Sequence, residues 1–134
     1  MLKDIPENKV TDVGMAVVPE AGEGGEEVWN VYVVNMKDVA IETVLVSSKG
    51  YGHYEGKDVK TTTLRHGLND MAPKSFVLVE PIIKSVFGLN NEYWLSFYIG
   101  REVYDRRFLF LPESIKKEHL VNVPIMNKLG VLIV

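Results

Sequence analysis

The stretch over residues 28–52 (VWNVYVVNMKDVAIETVLVSSKGYG) constrains the fold more than any other part of this chain. Two runs rich in Val, Ile, Tyr and Trp flank the polar break Met36-Lys37-Asp38 and run out in Ser47-Ser48-Lys49-Gly50. Side chains branched at Cβ or aromatic fit a pleated surface, so the block predicts two antiparallel neighbours in a β-sheet.

The same signature recurs along the chain. Residues 10–18, 27–35, 40–48, 59–64, 75–83, 93–99, 103–111, 121–125 and 129–134 read as extended segments, separated by turn signals. Pro81 marks an edge or the end of pairing in its strand. Residues 93–99 and 103–111 predict a hairpin through Gly100-Arg101. In its first arm Tyr93, Leu95, Phe97 and Ile99 suit a core, while Trp94, Ser96 and Tyr98 suit the opposite, half-exposed face. The only helix predicted is a short one near residues 113–120, with Ile115 and Leu120 inward. Residues 1–9 read as a loosely ordered lead-in, and residues 20–27, with three glycines, as a flexible acidic loop. About 7–9 short strands without long helices describe one all-β domain over residues 1–134, an antiparallel sandwich.

Composition narrows the function classes. With 134 residues the chain has the size of one ordinary domain. It contains no cysteine, which removes disulfides, thiolate nucleophiles and cysteine-ligated metal. A formal charge of −3 argues against nucleic acid as partner, because phosphate binding draws on a concentrated cationic surface. No apolar run approaches the roughly 20 residues that cross a bilayer, and residues 1–9 lack the apolar core of a secretion signal. The expectation is a cytoplasmic protein with no membrane partner.

Residues 28–111 carry a resemblance. A strand ending in Asn35 precedes one with Val44-Leu45-Val46; a glycine-containing loop follows, then Leu68, Pro73, Ser75 and Val79-Glu80. In that order these positions resemble the immunoglobulin-like β-sandwiches found in many bacterial proteins. The resemblance implies an architecture that binds or scaffolds, and it carries over no functional residues. Two departures stand out: the cysteine pair of antibody domains is missing, and the chain exceeds the roughly 100 residues usual for that fold.

Candidate chemistry is sparse. His53, His66 and His119 share no metal-ligand spacing, so no metal is expected. No serine lies in the Gly-x-Ser-x-Gly turn that exposes a nucleophile. With no cofactor motif either, the chain reads as non-catalytic. Residues 50–56 form a loop of three glycines with Tyr51, His53 and Tyr54, a candidate recognition surface. Trp94 and Tyr98 could extend it into a stacking platform. Arg101, Arg106 and Arg107 form a cationic group at one hairpin, with Arg106 on the face opposite the other two. Finally, Leu129, Val131, Leu132, Ile133 and Val134 end the chain with aliphatics, an edge that must be inserted in its own sheet or covered by a second subunit. The leading expectation is a protein-interaction or structural module, self-association as a homodimer included. The other is a small-molecule or carbohydrate-binding sandwich that uses the exposed aromatics.

Overall fold

The computed structural model describes residues 8–134. Their regular structure is extended apart from two single 3-10 turns, Lys84–Val86 and Lys117–His119. In chain order the strands are β1 (Val13–Ala21), β2 (Glu27–Asn35), β3 (Ile41–Tyr54), β4 (Lys57–Lys60) and β5 (Leu64–Met71). They continue as β6 (Ser75–Ile82), β7 (Asn90–Ile99), β8 (Glu102–Phe110), β9 (Val121–Val123) and β10 (Lys128–Ile133). One sheet runs β6-β2-β1-β10-β9. The other runs β4-β3-β7-β8, with β5 also on β3. All pairings are antiparallel. The described residues form an all-β sandwich, and no helix among them is long and apolar enough to cross a membrane.

The predicted segmentation differs from the structure in several places, among them the missed strand β5. β1 runs through Pro19 to Ala21; β10 reaches only Met15–Val17, so β1 has a free side where the proline falls. The acidic loop shrinks to Gly22–Glu26, closed by bonds from Gly22 N to Glu26 O and from Gly25 N to Gly22 O. Residues 50–56 are not a loop, because β3 continues to Tyr54 and pairs with β4 across Glu55-Gly56. Both turn residues have positive φ (50° and 79°), the turn whose twist matches a hairpin. The helix near residues 113–120 is one 3-10 turn: Glu113 has φ 61° and Lys116 is extended, which stops a longer helix. Of the lead-in, residues 1–7 lie outside the described residues.

Alternation does the rest. Met15, Val17, Val31 and Val33 of one sheet face Val46, Tyr93, Leu95, Phe97, Phe108 and Phe110 of the other, all essentially buried. Each such side chain contributes about 1.5–3 kcal/mol on leaving water. Phe97 stacks on Tyr104, centroids 5.3 Å apart, and Tyr93 meets Phe110 edge-on. Ile115 plugs one end of this core. A second cluster, Ala16, Val18, Val34, Val123 and Met126, lies on the outside of the first sheet. On that side Glu20 accepts bonds from Asn30, Tyr32 and Lys128, tying β1 to β2 and to β10. Burial alone would raise the Glu20 carboxyl; these donors outweigh it and hold the group below its ordinary value.

Asn35 is fully buried where two crossovers meet. Its Nδ2 donates to the carbonyls of Val39 and Ala72, and its Oδ1 accepts from Lys37 N. Asn35→Ala should therefore cost about 2–3 kcal/mol by stranding these backbone groups. The check is a lowered urea midpoint with an unchanged denaturant slope.

Candidate functional site

Directly opposed residues of antiparallel strands share a face, so the register lays out the exterior of the second sheet as a grid. Trp94 of β7 sits between Ser47 of β3 and Arg107 of β8. Two positions along β7, Ser96 lies opposite Leu45; two further, Tyr98 lies opposite Val103. Leu45, Trp94, Tyr98 and Val103 are 49%, 46%, 44% and 48% exposed, which makes this an apolar exterior patch. Leu45, Arg65, Gly67 and Trp94 border a shallow depression of about 290 Å³ within it.

A charged group flanks the patch. Glu92 accepts from Tyr51 OH and from Arg107, both at 3.2 Å, and pairs with Lys49 at 3.7 Å. The Lys49 ammonium lies 5.7 Å from the centre of the Tyr51 ring. Burial first, then the Glu92 charge and bond, push the Tyr51 phenol above its ordinary value.

Of the residues predicted to form a platform, Tyr51, His53, Trp94 and Tyr98 share this exterior, and Tyr54 does not. Tyr54 lies on the alternate side of β3 beside Gly88. His53 bonds Asp58 across the hairpin at 3.1 Å. The three arginines do not converge. Arg107 is tied to Glu92, Arg101 sits in the β7–β8 turn, and Arg106 lies 4.3 Å over Phe108 and donates to Val134 O. The tail has the first of its two predicted arrangements: β10 is inserted between β1 and β9. Val131 is buried, Leu132 and Ile133 are half-buried, and Leu129 and Val134 remain exposed.

The sequence reading missed a polar cluster between the sheets. Glu80 of β6, 13% exposed at its side chain, accepts from Ser48 of β3 at 2.9 Å, His66 of β5 at 2.6 Å and Tyr93 of β7 at 3.0 Å. A bulge aims it there. The β2–β6 register slips between Val31 and Tyr32, so Glu80 rather than Val79 stands opposite Val31, a core residue. Glu80, Ser48 and Tyr93 of this cluster, without His66, line a pocket of about 350 Å³ between β6 and the β4–β5 junction.

Ser48 and His66 both bond the same Glu80 oxygen, whereas activation of a serine needs the imidazole on its hydroxyl. His119 bonds Ser114 O, and His53 bonds Asp58. Among the described residues no three His, Asp or Glu side chains are grouped to hold a metal. Comparison with protein-family models, curated proteins and solved structures found no match.

Burial, then the Glu80 charge and bond, push the Tyr93 phenol well above its ordinary value. The folded state thus holds this proton more tightly than the unfolded chain, whose tyrosines ionise near about pH 10. Its contribution is fully present below that pH and is lost as pH rises beyond it. Tyr32, raised to about 12 by burial and Glu20, adds the same sign. In urea unfolding from pH 7 to 11, Tyr93→Phe should be about 1.5–3 kcal/mol less stable at neutrality, yet lose less above about pH 10. Parallel curves for the two proteins would contradict this assignment.

Proposed function

We propose that this chain is a non-catalytic β-sandwich of immunoglobulin-like type that works as a protein-interaction module. The observation that carries the reading is the exterior patch of Leu45, Trp94, Tyr98 and Val103. Single exposed apolar side chains are ordinary on a soluble protein, but four grouped on one sheet face are characteristic of a contact surface. Aromatic residues with arginine at the rim, here Trp94 beside Arg107, are the types that dominate protein interfaces. The partner is a protein, a second copy of this chain included. Self-association would use this face, where the exposed apolar side chains are grouped.

A second reading is favoured by the exposure of Trp94 and Tyr98, between which only Ser96 lies on the same face of β7. Such rings would stack on a sugar or another flat ligand. It rests on these two rings and Tyr51, without Tyr54.

Leu45→Glu combined with Trp94→Ala should leave stability within about 1 kcal/mol, since both side chains are half exposed. The pair should abolish whatever contact the face makes. Sedimentation at rising concentration tests self-association, and capture from native lysate by parent and variant tests other proteins. A monomeric parent whose captured proteins are all retained by the variant would exclude the interaction reading. Quenching of Trp94 fluorescence by a soluble glycan, lost with Tyr98→Ala, would favour the second.

A further inference from the structure

We propose that the pocket over Glu80 is a binding site for an aliphatic amine, separate from the exterior patch. The pocket lies on the opposite side of the second sheet, where the β6 edge and the β4–β5 junction leave an opening. Its volume of about 350 Å³ falls at the lower end of small-ligand sites, so the occupant is small. Its floor is polar and its lips are not. Leu64 and Ile83 at the rim are 49% and 66% exposed, although both belong to residue types that usually gain from burial.

The polarity of the floor selects the ligand. An ionised carboxylate offers about four acceptor positions. Glu80 has three donors, two on Oε1 and one on Oε2, which leaves Oε2 able to accept again. Asn91 spends its Nδ2 on the carbonyls of Val86 and Leu89, while its Oδ1 makes no hydrogen bond among the described residues. The Thr61 hydroxyl is taken by Gly50 N and Thr62 O. Apart from the exposed Thr62 hydroxyl, which can donate or accept, what remains on offer is acceptors beside a negative charge. The one lysine or arginine in the lining among the described residues, Lys49, directs its ammonium to Glu92 and Tyr51 on the sheet exterior. A carboxylate or phosphate would face the Glu80 carboxylate with no lysine or arginine of the described lining turned toward it. An alkylammonium supplies up to three N–H donors and the opposite charge, and its stem would lie between Leu64 and Ile83.

The test titrates n-butylammonium into the full chain while amide NMR shifts are followed. A saturable response centred on Ser48, Gly50, Glu80 and Asn91 is expected, with a Kd on the order of millimolar for so few atoms. Butyrate and n-butanol should give none. N-acetyl-lysine methylamide forms a second arm: binding by it as well assigns the site to lysine side chains, and binding by butylammonium alone assigns it to free amines. Glu80→Gln should weaken binding at least about tenfold through loss of the charged acceptor. Because that change also touches three structural bonds, Ile83→Arg at the exposed rim is the companion variant. It leaves the core intact and should weaken binding about fivefold or more by placing a like charge at the entrance. No saturable response, an equal response to butyrate, or unchanged affinity in Ile83→Arg would each overturn the proposal.

Discussion

A carboxylate held between two apolar sheets is the constraint around which this sandwich is arranged. Apart from Asn35, Ser48 and Asn91 the buried residues are apolar or aromatic, and a charge brought among them must be partnered or it is costly. Glu80 finds its three donors on three different strands of the facing sheet, Ser48 on β3, His66 on β5 and Tyr93 on β7. Apolar packing alone is tolerant of sliding, since one valine replaces another at small cost. Three directed bonds to one side chain are not. They set how β6 sits against β3, β5 and β7, at the place where the strand bulge has already broken the ladder to β2. Because the ionised carboxylate can only accept, the same geometry requires a hydrogen on His66 Nε2.

The architecture was legible because it rests on period-two burial, which a sequence displays directly. Residues 27–35 and the 93–111 hairpin appear where alternation places them, and Gly100 supplies the positive φ of 61° that their two-residue turn needs. The misplaced boundaries have a common cause. Glycine and proline were read as breaks, yet Gly50 and Gly52 lie within β3, and Pro19 lies within β1. Whether a residue of weak strand preference ends a strand depends on which neighbour reaches that point in space. Local sequence does not contain that information. Residues 64–71 show the opposite error, a strand hidden under Gly67 and Asn69, because its pairing with β3 absorbs irregularities at Thr43 and Asn69.

The candidate sites divide in the same way. Trp94 and Tyr98 could be assigned to an exterior from alternation alone, and they are there. Glu80 could not. Phe76, Leu78 and Glu80 fall on one parity in the sequence, and strict alternation would send all three to the same face. The single-residue slip in β6 reverses that for Glu80 while leaving Phe76 and Leu78 outside. Tyr54 fails for the mirror reason: grouped with Tyr51 in an imagined loop, it lies on the other face once the loop proves to be strand.

The insertion of β10 gives the remaining apolar surface its meaning. In the sequence alone the aliphatic tail is the segment that must be inserted or covered. In the folded chain the tail is accounted for: Val131 pairs with Val17 and Leu132 with Ala16, while Leu129 and Gly130 pair with β9. Residues more than a hundred positions apart thus close the first sheet, a long-range contact that raises the entropic barrier to folding. Residues 131–133 are held by β1 and residues 128–130 by β9, while Leu129 and Val134 stay exposed. Leu45, Trp94, Tyr98 and Val103 stand together on the sheet exterior, each about half exposed among the described residues, where Asn8 reaches the Val103 carbonyl. A surface whose hydrophobicity the fold itself does not use is the one on which a binding role rests most directly.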